Sequence, residues 1–250
     1  MSKLDVLAIG AHPDDVELAC GGTLALLAGQ ERRVGILHLT RGERGTRGTA
    51  AEREDEARRA AAALGAVELA FLDCGDGSLR TGEAEEDALV GILRDCQPDL
   101  VLGPTPRDRH PDHGRAHALV EAACFYAGLT NRAPDRGAPF RPAAVFSYMQ
   151  HDPFTPSFIV DVPVWAWEAK MASLDAYRSQ LYQPGEPGET STPETAAPVT
   201  KVSTRGFRLA VEGRARHFGE MINAELGEPF WHRIPLAVRD PFALLPGGVR

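Results

Sequence analysis

Leu4-Asp5-Val6-Leu7-Ala8-Ile9-Gly10 runs without a break into Ala11-His12-Pro13-Asp14-Asp15. The first part is a short apolar run, the pattern of a strand buried on both faces of a parallel sheet. The second part ends it with a proline and two adjacent carboxylates, and residues 16–30 then have the composition of a helix. Strand, polar turn and helix in that order open a βαβ unit.

Working outward, the alternation repeats. Residues 33–40 read as a second strand, followed by a glycine-rich loop over 41–49. Strong helix formers fill 51–64, and Gly65 is a natural stop. A strand over 67–72, a helix over 83–96 and a strand over 99–103 come next. The polar stretch 107–113 then leads into a helix over 114–127. Later strands are expected at 144–148 and 158–162, and later helices at 164–182 and 207–226. This order predicts an α/β, Rossmann-like layered fold, with a mainly parallel sheet flanked by helices, in one domain spanning 1–250. Residues 183–204, with Pro184, Pro187, Pro193 and Pro198 among Gly, Glu, Ser and Thr, read as a mobile exposed loop, a lid role being the alternative.

The bulk properties narrow the function. A chain of 250 residues with 43% hydrophobic and 25% charged residues can bury a full core. Its net charge of -8 argues against a nucleic-acid partner, which needs basic surface to displace counterions. No run approaches the length of a membrane helix, and Met1-Ser2-Lys3-Leu4-Asp5 does not resemble a signal peptide. Cys20, Cys74, Cys96 and Cys124 form no C-x-x-C pair and read as buried free thiols. A cytoplasmic protein is expected.

In an open parallel sheet, ligands bind beyond the carboxyl ends of the strands. Two polar clusters fall there: His12-Pro13-Asp14-Asp15 after the first strand and His110-Pro111-Asp112-His113 after the fourth. A catalytic zinc site has three protein ligands and an open position. His12, Asp15 and His113 can supply such a set, for zinc or for iron, cobalt or manganese. Asp14 is then free to act as general base. His110 can stabilise an oxyanion and protonate a leaving amine, with Asp112 as its partner. Either cluster alone also fits a helix cap or a solvated turn. Both in one chain, each at a strand end, point to a metal centre.

These motifs resemble those of the PIG-L/LmbE-like zinc N-deacetylases. The likeness extends to Leu39-Thr40-Arg41-Gly42-Glu43, Gly45-Thr46-Arg47-Gly48-Thr49, Arg107-Asp108-Arg109, Tyr148-Met149-Gln150, Tyr177-Arg178-Ser179-Gln180 and Gly227-Glu228-Pro229-Phe230. Together these are similar to the bacillithiol-pathway branch, the N-acetyl-α-D-glucosaminyl L-malate deacetylases. The resemblance implies zinc on His12, Asp15 and His113, Asp14 as base and His110 as transition-state stabiliser. It implies a small amino-sugar conjugate as substrate and a homo-oligomer, often a hexamer. A malate group needs local cations. Arg53 resembles a substrate-binding arginine of the family, and Arg109 stands beside the second motif; for Arg41, Arg47, Arg107 and Arg109 framework ion pairs compete with that role.

Other residues are read more plainly. Gly21-Gly22 marks close helix packing. His38 is a core histidine, His117 an outer partner of a ligand at most, and His151 a residue that can reach the sugar. Trp165, Trp167 and Trp231 are packing or oligomer contacts, and His217 and His232 receive no role. A dinucleotide-dependent oxidoreductase does not fit, because the first turn carries two carboxylates where a pyrophosphate needs G-x-G-x-x-G. A non-catalytic metal-binding protein leaves Asp14 and His110 unused. Within the family, a thiol-conjugate amidase, an inositol-sugar deacetylase and a chitooligosaccharide deacetylase stay open.

Overall fold

The computed structural model describes residues 2–183 and 198–244. Seven strands form one sheet in the order β3-β2-β1-β4-β5-β7-β6. They are β1 (Val6–Gly10), β2 (Val34–His38), β3 (Glu68–Phe71), β4 (Leu100–Gly103), β5 (Ala144–Tyr148), β6 (Phe158–Asp161) and β7 (Gly227–Trp231). The first five in spatial order are parallel; β7 runs antiparallel to both β5 and β6. The helices are α1 (Asp15–Gly29), α2 (Ala50–Ala63), α3 (Glu83–Cys96), α4 (Pro111–Tyr126), α5 (Val164–Ala176) and α6 (Arg205–Glu220). The mainly parallel layered fold expected from the sequence is the fold observed.

Alternation along β1 separates two cores. Leu7 and Ile9 join Leu89, Leu93, Leu119 and Val120 from α3 and α4 on one face. Val6 and Ala8 join Val16, Leu24 and Ala166 from α1 and α5 on the other. β1 is buried throughout, as its unbroken apolar run requires. β2 pairs on one side of β1 and β4 on the other, although the chain builds β2 and β3 first. The topology therefore reverses between β1 and β4, and a crevice opens beyond their carboxyl ends. Both His-Pro-Asp clusters emerge there.

Local chemistry sets the helix ends. Thr49 and Glu52 close a reciprocal capping box on α2, and Thr204 caps α6 by accepting from the Phe207 N–H. α4 starts earlier than the predicted residue 114, because Pro111 occupies the first helical position, where its fixed φ costs nothing. α5 stops at Ala176, short of the predicted 182: Tyr177 leaves the helix and sends its hydroxyl to Glu17 Oε1 at 2.9 Å. α6 ends at Glu220, short of the predicted 226, and the chain turns through Asn223 at φ 58° into β7, a strand the sequence reading did not include. The four cysteines are buried free thiols, as expected. Of the loop expected over 183–204, residues 184–197 lie outside the described residues. Among the described residues, no helix is long and apolar enough to cross a membrane.

Candidate active site

The turn after β1 folds on itself. Asp15 Oδ2 accepts the His12 backbone N–H at 2.8 Å. Asp14 holds the left-handed conformation, φ 105° and ψ -23°, and occupies the N-cap position of α1 without a side-chain cap bond. A non-glycine residue in that region is strained, and such strain collects at functional sites. The capping role open to Asp14 from sequence is thus not the one its carboxylate takes. That carboxylate lines the cleft, 3.8 Å from Arg53 Nη2.

At the start of α4, His110 is the N-cap and its Nδ1 accepts the Asp112 backbone N–H at 3.2 Å. An accepting Nδ1 leaves the proton of a neutral ring on Nε2. The pairing expected between the Asp112 carboxylate and the His110 ring is replaced by this backbone bond. The carboxylate instead accepts from Gly77 N at 2.7 Å, Leu79 N at 3.2 Å and Arg115 Nη1 at 3.0 Å. Burial, then the nearby charges of His12 and His113, hold His110 below its usual pKa. A neutral hydrogen-bond donor results, which suits the oxyanion role read from the sequence better than the protonation of a leaving amine.

The two clusters meet. One donor atom from each of His12, His110 and His113 lies within 4.8 Å of the others. Asp15 stands between two of them, Oδ2 at 3.4 Å from His12 Nδ1 and Oδ1 at 3.4 Å from His113 Nε2. The predicted set of His12, Asp15 and His113 is therefore assembled from two motifs nearly a hundred residues apart. His12 Nε2 faces Asp76 Oδ1 at 3.1 Å and Asp112 Oδ2 at 3.4 Å but completes a hydrogen bond with neither. These three residues form a second donor group.

Charge explains the rest. Burial would raise Asp15, yet the His113 charge and bonds from His113 and His12 hold it well below the carboxylate range. Burial lowers His113, but Asp15 and Asp108 together push it up to about 9. His12 is raised in the same way, by Asp112, Asp15 and Asp76 against its burial. Asp14 is pushed up to about 7, chiefly by burial, against the pull of Arg53. Protonated imidazoles thus balance the carboxylates here. A divalent cation on the same nitrogen and oxygen donors would balance them instead, displacing those protons. The donor set fits a metal of the zinc class.

The cluster floors a cleft of about 290 Å³. Arg53 is 4% exposed, and its guanidinium donates to the carbonyls of Gly42 and Pro13. Gly42, at φ 65°, has no alternative here: a Cβ would lie 1.9 Å from Arg53 Nη1. Arg44 and Arg109 reach the same cleft from the exposed rim, and neither guanidinium has a hydrogen bond or ion pair among the described residues. Arg41 pairs with Glu54 and Asp73, and Arg47 bonds the carbonyls of Ser179 and Pro198, so both serve the framework.

Of the remaining histidines, His151 lines the cleft, its ring 6.0 Å from that of His113. His117 bonds the Pro104 carbonyl at 3.0 Å and touches none of the cluster. His38 is fully buried, as expected of a core residue. Gly22 packs closely, as read: a Cβ there would meet Val162 at 2.7 Å. Trp165 is half exposed on α5. Sequence reasoning missed Asp76, and it quoted Asp108, within Arg107-Asp108-Arg109, without a role. It quoted Gln150 without a role, and Gln150 Nε2 donates to Asp15 Oδ1. The one signal for Asp108 was its place two residues before His110.

Residues 7–124 match the family model PIG-L, described as GlcNAc-PI de-N-acetylase. The chain is 31% identical over 187 residues to a diacetylchitobiose deacetylase of Thermococcus kodakarensis, covering 70% of each. It is 33% identical over 181 residues to a 1D-myo-inositol 2-acetamido-2-deoxy-alpha-D-glucopyranoside deacetylase of Rhodococcus opacus, covering 58% of this chain and 61% of the relative. Among solved structures, the conserved protein TT1542 from Thermus thermophilus superposes with a TM-score of 0.82 at 35% identity, over 99% of this chain and 100% of that one.

Proposed function

Because the chain belongs to the PIG-L family of de-N-acetylases, we propose that it hydrolyses the acetamide of N-acetylglucosaminyl malate, releasing acetate and glucosaminyl malate for bacillithiol synthesis. At the coarser level it is an N-deacetylase of N-acetylglucosamine-type substrates. The family is metal-dependent; zinc on His12, Asp15 and His113 is our reading, with iron, cobalt or manganese suited to the same donors. When bound, such an ion supplies a Lewis acid that polarises the amide carbonyl and acidifies water.

The chain's own residues do the rest. Asp14, beside the cluster and free of any cap, takes a proton from the attacking water. His110 donates Nε2–H to the oxygen on which negative charge grows, and the Asp112 backbone N–H on Nδ1 keeps it in that tautomer. The proton carried by Asp14 passes to the amide nitrogen as the C–N bond breaks, which leaves acetate and the free amine. Arg53 holds Asp14 from the inner wall.

The observation that carries the malate assignment is the pair of guanidiniums, Arg44 and Arg109, without a partner among the described residues, on the rim of a cleft whose floor is acidic. A neutral acetamido sugar leaves them without counterions, whereas a dicarboxylate matches them. The sequence likeness to the malate branch agrees, and with it goes a cytoplasmic homo-oligomer. The test is acetate release from N-acetylglucosaminyl malate, N-acetylglucosamine and diacetylchitobiose, before and after metal stripping. Metal-dependent release favouring the malate conjugate is expected. Equal or better release from the neutral sugars sinks the malate assignment, and no release from any of them sinks the deacetylase.

A further inference from the structure

The imidazole of His113 has different neighbours at its two nitrogens. Nε2 faces Asp15 Oδ1 at 3.4 Å, on the side of His12 and His110. Nδ1 lies 2.9 Å from Asp108 Oδ1. The Asp108 side chain is 0% exposed, although its sequence neighbours Arg107 and Arg109 are exposed at the surface. An aspartate between two arginines would ordinarily turn out to meet them. Here neither guanidinium bonds it, and the carboxylate points inward at one ring nitrogen. Its other oxygen accepts the backbone N–H groups of His151 at 2.8 Å and Asp152 at 3.2 Å. The same turn carries Gln150, which donates to Asp15 Oδ1, the oxygen that His113 Nε2 also faces.

We propose that Asp108 is a positioning residue for the metal centre. By holding the proton on Nδ1 of His113, it leaves Nε2, on the side of Asp15, as the nitrogen that would give its lone pair to a metal ion, and it locks the ring plane. Its second oxygen ties the turn after β5 to the N-terminus of α4, so that Gln150 and His113 are held in register at the same oxygen of Asp15, Oδ1. A carboxylate behind a ligand imidazole also makes the ring a stronger donor. The inference rests on the metal centre proposed above.

The competing role is a loop anchor working only through the His151 and Asp152 amides. Zinc affinity separates the two. The full chain is stripped of metal and titrated with zinc against a chelator, as wild type, Asp108→Asn and Asp108→Ala, and the thermal midpoint of each stripped form is recorded. Asp108→Ala is expected to weaken zinc binding by about 10–100-fold. Asp108→Asn keeps a carbonyl for Nδ1–H but loses the charge, so its affinity should lie between the other two. In the zinc-loaded protein the Nδ1–H proton of His113 should resonate far downfield in wild type, as a proton bonded to a carboxylate does, and move upfield in Asp108→Asn, a readout that a loop anchor would not control; this arm stands if Asp108→Ala does not fold. Zinc affinity within about twofold of wild type in both variants, whatever their midpoints, overturns the proposal. No zinc uptake by wild type overturns the metal centre and the proposal with it.

Discussion

Helix α1 passes two buried groups of charges, built in opposite ways. Midway along it, where Cys20 leaves helical geometry, the Glu228 carboxylate accepts Gly22 N at 3.0 Å, Thr23 N at 2.7 Å and Thr23 Oγ1 at 2.7 Å. Lys170 meets the same carboxylate at 2.6 Å. One cation and one anion cap a broken helix, and neither has an unpartnered atom. At the N-terminus of α1, by contrast, Asp14, Asp15, Asp76 and Asp112 crowd around Arg53 and the imidazoles. The buried side-chain atoms without partners, among the described residues, are His12 Nε2, Arg53 Nε, Gln150 Oε1, Glu17 Oε2 and both nitrogens of His38. All belong to this end of the helix or the layer beneath it. Burial of charge alone does not mark a site; charge buried with its valences open does.

The sharpest way to break the contrast is to neutralise one carboxylate in each group. Asp14→Asn should lower the rate of acetate release by about 10²–10⁴-fold. Metal content and thermal midpoint should stay at wild-type values, because Asp14 caps nothing. A large loss of stability instead would make the two groups alike.

Glu228→Gln should do the reverse. It strands Lys170 in the core, so urea denaturation should show a loss of about 3–5 kcal/mol. The activity of the folded fraction should be retained. A double variant, Glu228→Gln with Lys170→Met, should recover part of that loss, since no ammonium is then stranded beside the amide; buried Arg214, which also feels the Glu228 charge, keeps the recovery incomplete. A Glu228→Gln protein of unchanged stability would show that the closed pair is not what holds α1 at its break.

The smallest effect lies between the groups. Burial pushes His38 down to about 3 and its neighbour Glu17 up to about 8. From roughly pH 6.5 down to roughly pH 4.5, the unfolded chain takes up a proton at His38 that the folded chain refuses, so stability falls with falling pH. Over the same range, folded Glu17 holds a proton that its unfolded form releases, so stability from that group grows as pH falls and is lost as pH rises toward 8. The two nearly cancel in wild type. His38→Gln removes one of them, and stability should then rise as pH falls by about 1.4 kcal/mol per unit relative to wild type. Parallel stability curves for the two proteins would refute the assignment.

Much of this was legible in the chain. The apolar runs before His12 and before Pro104 place two strands, and the motifs that follow them land at the topological switch because strands of a parallel sheet end on the same edge. The N-terminus of α4 was placed three residues late, although Pro111 is a first-turn residue, because His110 to His113 was read as a loop delivering ligands. β7 was missed for a sound reason: Gly227, Glu228 and Pro229 are poor strand residues, and Pro229 is tolerated because β5 pairs only with Phe230 and Trp231, which leaves position 229 without a neighbour on that side.

By itself the sequence determined the order of strands and helices, the two His-Pro-Asp clusters and their delivery to one edge, because each depends on residues a few positions apart. The tertiary structure alone decided that Asp112 turns to Gly77 and Leu79, that Asp76 and Asp108 stand behind His12 and His113, and that Glu228 completes a helix more than two hundred residues earlier. Those pairings come from the packing of distant segments, and no local spacing records which carboxylate a buried nitrogen will meet.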